Sequence, residues 1–211
     1  VVTTVVPTYI CPSGERSSNP VLDDRLWPQQ SPNPAAGLWY GGSAGPTHPN
    51  SCPFCPDPHP SPDNWCCQGC NYGTGQAPYG VSCQTLNPDF KTVGMFGLFK
   101  EGIQIKQVLD GLSHTILVGE SLPEQCRMMS VFAITGTVWT TNIPINTFIT
   151  FDAYSRPPMV GEYACGFKSR HPGGAQFVMG DGSVHFLPDA IDFQVYNFLG
   201  NRKDGIPVAI P

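Results

Sequence analysis

The chain has 211 residues, of which 40% are hydrophobic and 13% are charged, and its net charge is -5 at neutral pH. This content suffices for a hydrophobic core and excludes global disorder, while the eleven Lys and Arg form no run that could follow a phosphate backbone. Because of this absence of a basic run, nucleic acid is not expected as a partner. The 23 glycines and 23 prolines indicate short strands joined by long loops and not a helical protein.

The N-terminal part begins with a predicted strand and continues into a long insertion. Residues 1–10 alternate apolar and small polar side chains, and their abrupt β-branched start suggests a processed precursor. Residues 14–91 are dominated by Pro, Gly, Ser and Asn, and we interpret them as a cysteine-rich insertion within one domain spanning 1–211. Six of the nine cysteines fall in this insertion: Cys52, Cys55, Cys66, Cys67, Cys70 and Cys83.

These six cysteines have two interpretations. Cys52-x-x-Cys55 followed by Cys67-x-x-Cys70 is close to a zinc-ribbon spacing, because zinc prefers tetrahedral thiolates. Clustered cysteines in a loop-rich chain also indicate an oxidising compartment, and we favour disulfides of unspecified connectivity, with zinc as the minority alternative. Three polar residues nearby could join a metal site but are more often only solvated: His48, Asp57 and His59. Three cysteines lie outside the group, and an odd total leaves at least one unpaired within the chain: Cys11, Cys126 and Cys165.

The segment GGSAG at 41–45 matches the nucleophile-elbow pattern of hydrolases, with Ser43 as the nucleophile. An elbow needs a helix directly after it, and Pro46 and Pro49 leave no room for one. We therefore expect a glycine-rich loop here and no catalytic serine.

The second half of the chain reads as a sheet followed by a helix. Strands are predicted at 94–99, 115–120, 129–141 and 145–151, with a short helix or turn at 103–111. A β-hairpin is predicted across 175–187, turning at Gly180 to Gly182. A helix capped by Asp189 and ended by Gly200 should follow, with these apolar residues on one face: Ile191, Val195, Phe198 and Leu199. The predicted fold class is α+β, an antiparallel sheet with few short helices and a long loop.

Three ordered pieces resemble a planctomycete-type family described as prepilin-processing-associated or pseudopilin-like proteins. The pieces are ICPSGE near the start, DGLSHTILVGES at 110–121, and SRHPGGAQFVMGDGSVHFL, in which nine residues separate His171 from Asp181-Gly182. The resemblance gives these motif residues, to which we assign a structural role: Asp110, Gly111, Ser113, Glu120, His171, Asp181 and Gly182. It does not cover the insertion.

The resemblance implies a head domain like those of type IV pilins and type II secretion pseudopilins. Its long N-terminal filament helix, preceded by a prepilin leader, would lie outside this chain and would be its only membrane contact. The expected function is assembly into an extracellular or periplasmic filament with copies of itself or other pilin-like subunits. No cofactor is expected, although calcium could pin a loop, as it does in some pseudopilins.

Two other classes of function compete with assembly. A catalytic or metal-binding pair of His171 and Asp181 is disfavoured, because a five-residue strand at about 3.3 Å per residue holds them more than roughly 15 Å apart. We expect Gly180 and Gly182 to supply positive φ in the turn, and Asp181 to bond nearby amides. The chain is thus not expected to be an enzyme. The alternative is an extracellular ligand- or carbohydrate-binding module that uses exposed loop aromatics, which are Trp27, Trp39, Tyr40, Trp65 and Tyr72.

Overall fold

In the described part of the chain, a five-stranded sheet and an α-helix organise the fold, as seen in a computed structural model. It describes residues 1–23, 33–47, 52–61, 63–68, 93–97, 102–126, 130–131, 138–148 and 166–211. The elements are β1 (Val21–Leu22), β2 (Ala35–Ala36), β3 (Tyr40–Gly45), β4 (Ile116–Glu120), β5 (Val138–Thr140), β6 (Gly174–Met179), β7 (Val184–Pro188) and α1 (Phe193–Gly200). Three 3-10 turns cover Pro7–Tyr9, Ile105–Gln107 and Leu112–His114.

The main sheet has the strand order β5-β3-β4-β6-β7, and β1 and β2 form a separate antiparallel pair. Its strands are antiparallel neighbours except for β3 and β5, which run parallel. The predicted α+β class is confirmed, with a mixed and mainly antiparallel sheet. Strand β3 lies within the range predicted as an insertion, so that range contributes to the main sheet.

The predicted hairpin is confirmed as β6 and β7, which pair from Gly174–Pro188 to Val178–Val184. In its turn Gly182 has a φ of +88°, whereas Gly180, which was expected to share that conformation, does not have positive φ. Asp181 Oδ1 accepts hydrogen bonds from the amide and hydroxyl of Ser183, at 2.9 and 2.7 Å. Asp181 therefore bonds a nearby amide, as predicted.

Helix α1 follows the hairpin, but Asp192 and not Asp189 is its N-cap. The Asp192 carboxylate accepts from the amides of Gln194 and Val195, at 2.9 and 3.0 Å. Asp189 is engaged elsewhere, because its amide donates to Gly173 O at 2.9 Å and so extends the β6–β7 pairing. The N-cap therefore lies three residues after the predicted one.

The hydrophobic core lies between α1 and one face of the sheet. Phe177 of β6 packs edge-to-face against Phe167 and against Tyr196 of α1, with ring centroids 5.1 and 6.1 Å apart. Met179, Leu187 and Leu199 are also fully buried there. Each such side chain contributes about 1.5–3 kcal/mol of burial free energy, so this layer fixes how α1 sits on the sheet.

Several predicted strands differ from the structure. Residues 1–10 form no strand, because Pro7 lacks an amide donor and starts a 3-10 turn. Residues 41–45 belong to β3 and are not a loop, and no strand forms in the described parts of 94–99 and 145–151. Within 129–141 the described strand is β5 alone, while 103–111 holds the short helical turn that was predicted. The remaining parts of these ranges lie outside the described residues.

Two disulfides cross-link the loop between β3 and β4, joining Cys52 to Cys67 and Cys55 to Cys66. Four of the six candidate cysteines thus pair with one another as predicted, while Cys70, Cys83 and Cys165 lie outside the described residues. A disulfide sulfur is not a thiolate ligand, so this pairing is incompatible with the zinc-ribbon alternative. Cys126 is also disulfide-bonded, whereas Cys11 is a free, buried thiol.

No helix in the described ranges is long and apolar enough to cross a bilayer.

Candidate functional site

A bulge in β4 determines which side chains reach the side of the sheet opposite α1. Ile116 pairs with Met179 and both are buried, but the register then shifts, so that Val118 pairs with Val178. A bulge inserts one residue and moves the following side chains to the other face. Because side chains alternate along a strand, Glu120 joins Val118 on the face opposite α1, which we call the open face.

The open face carries a cavity of about 420 Å³. Val118, Val178 and Val184 line it side by side across β4, β6 and β7, since the first pairs with the second and the second with the third. Glu120, two residues further along β4, lines it as well, together with Cys11 and His171 from outside the sheet. The cavity therefore combines an apolar floor with a polar, ionisable cluster.

Three side chains of this cavity converge on one point, and we call them the Cys11–Glu120–His171 cluster. Glu120 Oε1 lies 3.2 Å from His171 Nε2 and 3.5 Å from Cys11 Sγ. Cys11 Sγ lies 3.9 Å from the same Nε2. The hydroxyl of Ser13 borders the cluster, 2.9 Å from Cys11 Sγ and 3.4 Å from His171 Nε2.

The carboxylate of Glu120 is fixed by the backbone around it. Its Oε2 accepts the amide of Gln176 in β6 at 2.7 Å, which leaves Oε1 to face the cluster. Its carbonyl accepts the amide of Lys168 at 3.0 Å. The Lys168 side chain is itself buried, and burial lowers its pKa to about 7. Glu120 is only 4% exposed, and a buried carboxylate needs a hydrogen-bond donor such as the Gln176 amide.

Cys11 and His171 reach the cluster from two turns. Cys11 is 6% exposed and its carbonyl accepts the amide of Gly14, which closes a turn after the N-terminal segment. His171 precedes β6, and its amide donates to Ser169 Oγ at 3.0 Å. The His171 side chain is 37% exposed, so solvent reaches the cluster from this side.

Tyr40 of β3 borders the cluster. Burial, together with the neighbouring Cys11 and Glu120, raises the pKa of Tyr40 to about 12. Its phenol therefore stays protonated at neutral pH.

The other motif residues lie away from the cluster. Asp110 is buried and its two carboxylate oxygens accept the amides of Asp204 and Gly205, at 2.9 and 2.8 Å. Gly111 has a φ of +93°, and Ser113 lies exposed in the Leu112–His114 turn. Asp110 thus holds the C-terminal tail through these two amides. Asp181 is exposed and bonds Ser183, which is half-buried.

Ser43 has no nucleophile geometry. It lies inside β3, is fully buried, and its Oγ accepts the Gly45 amide at 3.2 Å. An elbow serine sits instead on a strand-to-helix turn with its hydroxyl exposed. The expectation that Ser43 is not catalytic agrees with this position.

Sequence reasoning singled out Glu120 and His171 but not Cys11. Cys11 was counted only as a cysteine left over from the disulfides, although it belongs to the ICPSGE piece of the resemblance. One residue from each of the three pieces thus meets in the cluster. The order of the three pieces along the chain marked them as motifs. That their residues lie close together depends on the β4 bulge.

A family model matches residues 1–194, and its description is a protein of unknown function (DUF1559). The chain belongs to this DUF1559 family. The match covers all three motif pieces and the whole cluster. No curated protein and no solved structure matches the chain. The match establishes the DUF1559 family and does not extend to the pseudopilin-like character implied by the resemblance.

Proposed function

We propose that this DUF1559 chain is the head domain of an extracellular or periplasmic pilin-like filament subunit. It works by packing against copies of itself or other pilin-like subunits and performs no catalysis. Membrane contact is made only through a filament helix that precedes the head. The observation that carries this proposal is the apolar strand β7 at the margin of the sheet.

Strand β7 is the last strand of the sheet in the described part of the chain. Val184 and Phe186 are 63% and 41% exposed and lie on the open face, while Leu187 points into the core. Proteins usually protect an edge strand with charge or a covering element, because an exposed apolar edge favours pairing with another chain. An unprotected apolar margin is what a subunit that packs against neighbouring heads requires.

The disulfides support the proposed location outside the cytoplasm. Cystines persist outside the cytoplasm, and both cross-links here close short loops. Trp65, which lies in the loop that the two disulfides close, packs edge-to-face against Phe193 and Phe198 of α1, with ring centroids 5.9 and 6.4 Å away. The loop is thereby packed against α1 and cross-linked, as an extracytoplasmic structural subunit needs.

The state of the aromatic residues argues against the alternative of a carbohydrate-binding module. Such a module stacks exposed rings on its ligand. Trp39 is 2% exposed, Trp65 is packed on α1 and Tyr40 is half-buried. Trp27 and Tyr72 lie outside the described residues. These three rings pack within the head and offer no flat platform.

The test changes the β7 surface in the full-length protein expressed in its native host. Replacing Val184 and Phe186 together by Glu should abolish filament recovery from sheared cell-surface fractions, because each new carboxylate would have to be buried at the contact. Ile105→Glu is the matched control, since Ile105 is 73% exposed and belongs to the Ile105–Gln107 turn and not to a strand of the sheet. Thermal unfolding of the purified chains verifies that all variants fold. Wild-type filament yield from the folded double variant would refute assembly through β7.

A further inference from the structure

We propose that Cys11, Glu120 and His171 bind one divalent transition-metal ion of the zinc type, with an open coordination position that faces the cavity on the open face. The inference is independent of filament assembly, because it concerns donor atoms within one chain.

The separations of the three donor atoms fit a tetrahedral ion. Zinc bonds of about 2.3 Å to sulfur and about 2.0–2.2 Å to nitrogen and oxygen place tetrahedral ligand atoms about 3.3–3.6 Å apart. The observed separations among Cys11 Sγ, Glu120 Oε1 and His171 Nε2 are 3.2, 3.5 and 3.9 Å. An ion can therefore enter with shifts of a few tenths of an ångström per side chain.

The same geometry disfavours a nucleophilic relay. In a Cys-His-acid relay the thiol contacts one imidazole nitrogen and the acid holds the other. Here Glu120 Oε1 and Cys11 Sγ both face Nε2 of His171. Donors that converge on one point describe a coordination site and not a proton path.

The donor set selects the class of ion. A thiolate and an imidazole with one carboxylate suit zinc and similar borderline ions, whereas calcium and magnesium prefer oxygen ligands throughout. Three protein ligands leave a fourth position, as in zinc sites that exchange a bound ligand. The cavity opens beside it, and Ser13 Oγ, 3.4 Å from Nε2, is placed to hydrogen-bond whatever occupies that position.

Two independent features indicate a prepared site. The Gln176 amide holds Oε2 of Glu120, which is the outer-shell support that orients ligating carboxylates. Cys11 is also the described cysteine that stays reduced while Cys52, Cys55, Cys66, Cys67 and Cys126 are disulfide-bonded. A buried carboxylate and a retained thiol that share one point are stabilised by a bound cation.

The experiment titrates the purified 211-residue chain, stripped with a chelator and with its disulfides intact, with Zn²⁺ by calorimetry and with Co²⁺ by absorption. We expect one ion per chain and a thiolate-to-cobalt charge-transfer band. Because loss of an outer-shell partner already weakens metal binding about 10–100-fold, removal of a ligand should weaken it by at least about 100-fold. Cys11→Ser should also abolish the charge-transfer band. Glu120→Gln and His171→Gln should weaken the binding of both Zn²⁺ and Co²⁺.

His59→Gln is the matched control, because His59 is exposed and its Nδ1 lies 2.8 Å from Asp57 Oδ1 in the disulfide loop. It should leave binding unchanged. The proposal would be overturned if Cys11→Ser and His171→Gln still bound the ion as the wild type does. It would also be overturned if His59→Gln lost binding. Should the cluster variants fail to fold, alkylation of the wild type decides. Stoichiometric Zn²⁺ should slow modification of Cys11, located by peptide mapping, and unchanged modification would overturn the site.

Discussion

Gly119 shows how a single residue of β4 is fixed by the core. A Cβ added there would lie 2.5 Å from the ring of Phe167 and 2.6 Å from that of Phe177, both of which are fully buried. Gly119→Ala should therefore lower the free energy of unfolding by about 1–3 kcal/mol, the usual effect of overpacking. Urea denaturation measures the change.

Gly102→Ala is the control for this substitution, because nothing lies within 4 Å of its added Cβ. That variant should be neutral or slightly more stable, since alanine restricts the unfolded chain. Equal stability of the two variants would contradict the packing described for Gly119.

The carboxyl group of Asp204 makes the free energy of unfolding depend on pH. Burial, and further the nearby Asp110, raises the pKa of Asp204 to about 6 from its ordinary value of 3.8. Between pH 3.8 and about 6 the folded state binds more protons than the unfolded state, so this group's contribution to stability falls as pH rises. Asp204→Asn can keep the hydrogen bond from the Ile206 amide, which Oδ1 accepts at 2.8 Å.

The stability of Asp204→Asn relative to wild type should therefore increase from pH 4 to pH 6 and level off above it. Urea unfolding at several pH values provides the comparison. A difference that is constant across that range would show that the Asp204 carboxyl is not perturbed in the folded protein.

At the level of single residues, the sequence identified most motif positions but not which of them come together in the structure. Asp110, Glu120 and His171 all stood out by their place in the three pieces. Asp110 bonds the tail, whereas Glu120 and His171 join Cys11. Nothing local in the sequence separates these roles, because each depends on a partner about fifty or more residues away.

The start of α1 is the element whose prediction was corrected most clearly. Asp192 accepts two amides of the first turn, so Asp192→Ala should cost about 1 kcal/mol of stability, within the 0.5–2 kcal/mol typical of N-caps. Asp189→Ala is the control and should cost less, since within the described residues its carboxylate has a single long contact, with Asn146 Nδ2 at 3.5 Å. Chemical denaturation distinguishes them. A larger loss for Asp189→Ala would restore the cap that the sequence suggested.

Among the elements, those set by local pattern were predictable and those set by tertiary contacts were not. The β6–β7 hairpin follows from alternating side chains around Gly182. Strand β3 looked like a glycine-rich loop, yet Gly41 and Gly42 leave room for Trp139 and Phe96, whose rings an added Cβ would approach to 2.9 and 2.6 Å. Glycine weakens a strand locally and is retained where another group comes this close.

Across the whole molecule the sheet separates two tasks. One side buries α1 and forms the core, while the open face carries the Cys11–Glu120–His171 cluster and the apolar margin of β7. The disulfide loop braces α1 through Trp65. The free apolar margin suits the proposed packing in a filament, and the proposed metal site lies beside that margin on the same face.

The most direct test of this account is electron microscopy of the native cells with an antibody raised against this chain. The proposed function predicts that the label follows filaments at the cell surface or in the periplasm, with the head domain outermost. Label dispersed through the cytoplasm, or spread over the envelope without any filament, would contradict the proposed head of a pilin-like subunit.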